Sequence, residues 1–157
     1  MPTLTAAAES IYSPDAERLI SELSAELAAL YQVEDGSAGF KPADLDHPKA
    51  ALVVARIGGI PAGCGALRPL DEHSVEVKRV YTRPEYRRQG VALAIMDELE
   101  RLAAEFGYRS IKLQTGPLQP EAAALYERSG YYRIPRFHGE WEEVLAFQKD
   151  VAVNQAG

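Results

Sequence analysis

Two adjacent arginines, a glutamine and a glycine, Arg87-Arg88-Gln89-Gly90, stand directly before an apolar stretch that begins Val91-Ala92-Leu93. A helix opening at this glycine would present unpaired backbone N–H groups and the positive end of its dipole. With no Cβ at Gly90, an anion could approach the main chain closely. The two guanidinium groups would add charge-assisted donors suited to paired oxygens. The chemistry that fits this combination is the binding of a phosphate or pyrophosphate. A basic pair beside a turn is also the ordinary form of a solvated surface, so the tetrapeptide alone leaves both readings open.

The surrounding pattern would place this tetrapeptide between a strand and a helix. Residues 75–81 read as a strand, and simple alternation puts Glu76 on one face with Lys78 and Val80. From 91 to 106, Ala92, Ile95, Met96, Leu99, Leu102, Ala103 and Phe106 form a helical stripe that Gly107 would end. A strand at 110–115, a helix at 121–129 closed by Gly130, and late strands near 131–134 and 142–149 follow.

Upstream, an Ala-rich strand is expected at 4–12. Ser13 then caps a helix with Pro14 at its first position, running to about residue 32 with Ile20, Leu23, Leu27, Leu30 and Tyr31 on one face. Residues 33–49 read as a loop with one short helical turn, long enough to suggest a functional role. Strands at 51–57 and 60–70 flank a Gly58-Gly59 hairpin turn. Together these predict a single α/β domain over residues 1–157, with a dispensable tail after Val151.

Composition narrows the function classes. The chain of 157 residues is 46% hydrophobic and 25% charged, ordinary for a globular protein, and no apolar run approaches the roughly 20 residues that span a bilayer. Its N-terminus lacks the basic and apolar regions of a secretory signal, which predicts a cytoplasmic protein with no membrane partner. A lone Cys64 and isolated His47, His73 and His138 give no metal-ligand pattern, so no metal is expected. Cys64 itself reads as a buried strand residue rather than a nucleophile. A formal net charge of −6 argues against nucleic acid as a partner and mildly favours cationic or neutral acceptors, although an acidic surface also serves solubility.

Residues 76–135 closely resemble the GNAT superfamily of acyl-CoA-dependent N-acetyltransferases. The resemblance rests on Arg87-Arg-Gln-Gly-Val-Ala92 followed, in family order and spacing, by Ala122-Ala-Ala-Leu-Tyr-Glu-Arg-Ser-Gly130. It implies a mixed, mostly antiparallel central sheet with helices on both faces, and a splayed strand pair that holds the CoA arm. Acetyl-CoA would be the acyl donor and a small-molecule or amino-acid-like amine the acceptor. A protein N-terminus or lysine is an alternative acceptor, and a non-catalytic acyl-CoA sensing module an alternative role. The backbone of Val80, Tyr81 and Thr82 would hold the pantetheine amides, and N–H groups from Arg88 through Gln89, Gly90, Val91, Ala92 and Leu93 the pyrophosphate, with Arg87 alongside. Family members often dimerise, and the late hairpin offers an edge for a homodimer.

The same resemblance assigns Tyr126 as the phenol that protonates or stabilises the departing thiolate; the competing possibility is a core tyrosine. Glu76 is the candidate base or acceptor contact, against an alternative as a rim carboxylate paired with Lys78 or Arg79. Gln119 replaces the Asn that many members use to bond the cofactor arm, keeping the amide on a longer stem. The aromatic segment 134–141 resembles an acceptor-side loop, with Arg136 and Trp141 as candidate lining residues. In the GNAT arrangement, loop 33–49 walls the acceptor site, so Glu34, Asp35, Asp44 and Asp46 would form an acidic wall.

Overall fold

Ser13 starts the chain's first helix. Its hydroxyl accepts the Ala16 N–H at 3.1 Å, with Asp15 and Glu17 beside the positive end of the helix. A cap of this kind contributes about 1 kcal/mol. The computed structural model describes residues 2–152. It gives β1 (Leu4–Glu9), α1 (Pro14–Tyr31), β2 (Ala51–Ile57), β3 (Ile60–Pro69), β4 (Ser74–Thr82), α2 (Val91–Glu105), β5 (Ser110–Thr115), α3 (Pro120–Arg128), β6 (Tyr132–Ile134) and β7 (Leu145–Asp150). Short 3-10 turns lie at Pro42–Leu45 and Pro84–Tyr86.

All seven strands join one sheet in the order β1-β2-β3-β4-β5-β7-β6. Every neighbouring pair is antiparallel except β4 and β5. That parallel ladder runs only from Ser74 opposite Ser110 to Val77 opposite Leu113. Both strands continue beyond it, β4 to Thr82 and β5 to Thr115, so they part and leave a gap. The mixed, mostly antiparallel sheet with a splayed pair is the expected architecture.

Two apolar layers cover the sheet. On one face, Ile95, Met96 and Leu99 of α2 and Ala123 and Tyr126 of α3 pack with Val75, Val77 and Phe147. On the other, Leu19 and Leu23 of α1 pack with Leu52, Val54, Cys64 and Tyr81. Each large apolar side chain so buried contributes about 1.5–3 kcal/mol. The elements differ from the sequence expectation mainly at their ends. β1 stops at Glu9, three residues short, because Ser10 to Ser13 turn into the helix. β7 begins at Leu145 rather than near residue 142, and it lies between β5 and β6, so that β6 of the late hairpin forms the sheet's edge. The expected tail falls mostly on residues outside those described.

Candidate active site

Where β4 and β5 separate, a cleft of about 570 Å³ opens between them. Val77 to Val80 line one side and Gln114 to Gly116 the other, while α1 and the segments 33–39 and 138–144 close over it. A bulge in β4 shapes the first wall. The β3–β4 register shifts between Cys64 and Ala66, and Arg79 takes a left-handed φ of 58°. An extra residue in one strand breaks its side-chain alternation. Val80 therefore packs with Val77 against the α2 face, whereas Tyr81 joins the α1 face. This corrects the alternation expected from sequence, which put Val80 on the same face as Glu76. The Cys64 thiol donates to the bulge carbonyl of Arg79 at 3.5 Å, and burial pushes it up to about 12, so it is the structural cysteine expected.

Tyr126 reaches the cleft from α3. Its ring lies 5.9 Å from that of Tyr131 and 6.0 Å from that of Phe147, and burial raises its phenol to about 12. At neutral pH it is a protonated donor. Among the described residues its hydroxyl makes no side-chain hydrogen bond, which leaves the proton free for something bound in the cleft. Opposite it, Tyr31 at the end of α1 donates to Gln119 Oε1 at 3.0 Å and meets Trp141 edge to face at 5.4 Å. Gly116 makes this crossing feasible, since a Cβ there would collide with the Tyr31 ring and hydroxyl. Gln119 is thus held at the cleft by Tyr31, a residue that sequence reasoning assigned only to the helix's apolar stripe.

Glu76 is buried rather than at a rim, with its side chain 1% exposed, and it is not among the residues lining the cleft. Its partner is Arg68, at 2.7 Å, instead of Lys78 or Arg79. Arg68 also donates to Asp44 at 2.8 Å and to the Gly39 carbonyl at 2.9 Å. One guanidinium therefore ties the loop after α1 to the floor of the sheet. Arg79 ties the same loop nearer the cleft, donating to the carbonyls of Gly36 at 3.0 Å and Ala38 at 3.1 Å.

At the other end of β4, α2 opens at Gly90 with φ 82°, with no capping side chain and no acidic residue in its first turn. The N–H groups of Val91, Ala92 and Leu93 are consequently left for an external acceptor. Arg88 has a left-handed φ of 65°, is exposed, and makes no hydrogen bond or ion pair among the described residues. Arg87 is committed elsewhere: it pairs with Glu26 of α1 at 2.6 Å and donates to the Thr82 carbonyl at 3.1 Å. Gln89 donates to the Glu85 carbonyl at 3.3 Å. The Val91 side chain enters the core, whereas Leu93 is 48% exposed beside this loop. Tyr81 is buried, with its hydroxyl on Glu22 at 3.2 Å.

The expected acceptor-side residues divide. Trp141 and His138 line the cleft, while Arg136 is exposed and donates to its neighbour Glu140's carbonyl at 3.3 Å. Gln114 of β5 clamps this segment: its side chain accepts from the N–H groups of Phe137 and His138 and donates to the His138 carbonyl. Of the four loop acids, only Asp35 lines the cleft; its carboxylate accepts from the Ser37 N–H and hydroxyl. Glu34 is exposed outside it, Asp44 is bound to Arg68, and Asp46 accepts from Tyr12. The loop therefore does not face the cleft as an acidic wall. The charges drawn inward instead are Lys78 and Arg79, neither singled out from sequence as a cleft residue.

Residues 16–131 match the family model for GNAT acetyltransferases. This chain belongs to the GNAT family. It is 32% identical over 132 residues to the IAA acetyltransferase of Azospirillum brasilense, a match covering 83% of this chain and 86% of that relative. It spans a smaller share, from 37% to 60%, of the length of several further N-acetyltransferase relatives. Among solved structures, a Klebsiella pneumoniae protein proposed to be an acyl-CoA N-acyltransferase is similar at a TM-score of 0.78 and 25% identity, over 97% of this chain and 99% of that one. A GNAT acetyltransferase of Elizabethkingia anophelis, solved with acetyl-CoA bound, shares the fold at a TM-score of 0.68 and 15% identity, over 94% and 97% of the two chains. The GNAT chain described here is accordingly an acyltransferase. No helix among its described residues is long and apolar enough to cross a membrane.

Proposed function

We propose that this GNAT protein acts as a single domain that transfers an acetyl group from acetyl-CoA to a primary amine of a small-molecule or amino-acid-like acceptor by direct attack. The observation that carries this is the free Tyr126 phenol in the cleft where β4 and β5 part. The chain fits the CoA donor at three places. Among the described residues, the β4 edge from Lys78 to Thr82 lacks a β5 partner, the first turn of α2 has free N–H groups, and Arg88 has no hydrogen bond or ion pair. Acetyl-CoA would supply a thioester with an electrophilic carbonyl carbon and a thiolate leaving group.

The protein's own contributions follow from where its groups lie. Val80 and Tyr81 would offer backbone to the pantetheine arm, and Gln119 its remaining amide capacity. Tyr126 would donate to the departing sulfur. Glu76 would act by fixing Arg68, and through it the acceptor-side loop, while the acceptor amine loses its proton to water. A cleft of about 570 Å³ roofed by Tyr31 and Trp141 suits a small acceptor better than a folded protein surface.

Donor binding has its own check. Arg88→Glu sets a negative charge beside phosphate, and Gly90→Val puts a β-branched residue at φ 82° in the path of the main-chain contacts. Each variant is expected to weaken acetyl-CoA binding by about 1–3 kcal/mol in calorimetric titration. Wild-type affinity in both would remove the pyrophosphate assignment. The function itself is tested by a panel of amines read out by release of free CoA thiol. Amine-dependent release is expected; saturable acetyl-CoA binding with no release across the panel would make the protein a sensing module.

A further inference from the structure

The cleft that would admit the acceptor is lined by two adjacent cationic residues, Lys78 and Arg79, and among the described residues no carboxylate is bound to either. Lys78 makes no hydrogen bond or ion pair among the described residues, although it is only partly exposed and extends under the loop, with Nζ 3.9 Å from where a Cβ on Gly39 would begin. Arg79 spends its two terminal nitrogens on the Gly36 and Ala38 carbonyls and stacks over the Phe40 ring at 5.6 Å. Its Nε is buried without a partner. The nearby acids that could neutralise them are otherwise engaged: Glu76 and Asp44 both bind Arg68, and Asp35 is exposed and accepts from Ser37. Glu140, the other acid on the cleft, is exposed.

A partly buried ammonium without a counter-charge is a costly arrangement. Burial pulls the Lys78 ammonium below its ordinary value, ahead of the opposing influence of Glu76, as expected for a cation that lacks a partner. An anion entering the cleft would supply that partner. The cleft that holds the two cations also has an apolar and aromatic part, with Leu23, Leu27, Tyr31, Trp141 and Val144 in its lining beside the polar Gln114, Thr115 and Gln119.

Resting on the acetyltransferase function proposed above, we infer that the acceptor is an amine that also carries a carboxylate, held by Lys78 beside Arg79, on an apolar or aromatic body. An apolar amino acid is the simplest molecule with those three parts. Its carboxylate would anchor at Lys78 and leave its amine to reach the gap between the strands. This is opposite in sign to the acidic wall expected from the loop's sequence.

Matched acceptor sets test it: phenylalanine, phenylalaninamide and phenethylamine, with the corresponding leucine and tryptophan sets, assayed by CoA thiol release with wild type, Lys78→Met and Lys78→Arg. Wild type is expected to favour the carboxylate-bearing member in kcat/KM by about tenfold to hundredfold, the range for a hydrogen bond to a charged group. Lys78→Met is expected to reduce that ratio to near one, mainly through KM, and Lys78→Arg to restore most of it. Unchanged acetyl-CoA affinity in calorimetry would show that both variants are folded. Equal or better use of the carboxylate-free amines by wild type, or a preference that survives in Lys78→Met, would overturn the carboxylate site while leaving amine acetylation standing. Acetyl-CoA binding with no turnover of any member would overturn the acetyltransferase function, and the carboxylate site with it.

Discussion

Tyr126→Phe is expected to lower kcat by about 10² to 10⁴-fold while leaving acetyl-CoA affinity unchanged. The two ring systems have nearly the same shape, so packing against Tyr131 and Phe147 survives and only the hydroxyl is lost. That hydroxyl has no side-chain partner among the described residues, so its removal strands no protein group and should cost little stability. The sulfur becomes charged only as its bond breaks, which places the effect on kcat rather than on ground-state binding. Burial holds the phenol at about 12, so it stays protonated through the usual assay range. The wild-type rate should therefore show no alkaline loss attributable to this group below about pH 10, well under its pKa. Steady-state kinetics on an established acceptor, with acetyl transfer limiting, checks both points. An unchanged kcat would make Tyr126 a core residue only.

Arg68→Met is expected to destabilise the protein by about 3–5 kcal/mol, because it leaves the carboxylate of Glu76 buried without its counter-ion. The Glu76 side chain is 1% exposed and that of Arg68 15%, so water cannot readily replace the guanidinium. One oxygen of Glu76 already lacks a hydrogen-bond partner among the described residues, so Arg68 supplies the carboxylate's one side-chain hydrogen bond there. The same substitution frees Asp44 and the Gly39 carbonyl, so the loop over the acceptor cleft should loosen as well. Removing both charges in Arg68→Met with Glu76→Met should recover much of the loss, since no lone ion remains. Urea unfolding of the single and double variants measures this. A single-variant loss under about 1 kcal/mol, or no recovery in the double, would mean that Arg68 does not neutralise a buried charge.

Much of the fold was legible because local chemistry and global topology agree. Gly58-Gly59 marks its hairpin, Ser13-Pro14 starts α1, and Arg87 to Gly90 leads into α2 as the family resemblance implies. The inner geometry of the site was less legible. The bulge at Arg79 has no glycine or proline to announce it, and it reverses the faces of every later β4 residue. The pairing of Glu76 with Arg68 crosses between antiparallel strands, and sequence spacing gives no register. Tyr31 looked like one more apolar position of α1, yet its ring crosses the cleft to Gln119 through the space Gly116 leaves open. The acidic loop misled because composition counts charges without direction: Asp44, Asp35 and Asp46 turn to Arg68, Ser37 and Tyr12, Glu34 is exposed outside the cleft, and Lys78 and Arg79 line it.

The claim of direct attack is tested most directly in a single turnover. Protein loaded with less than one equivalent of isotopically labelled acetyl-CoA is mixed with an accepted amine, quenched over time, and both the intact protein and the amine are weighed by mass spectrometry. Label is expected to pass to the amine as free CoA thiol appears in equal amount, with the protein mass unchanged at every time point, because the buried Cys64 lies outside the lining of the cleft. A labelled protein that forms before the product and then decays into it would contradict direct attack.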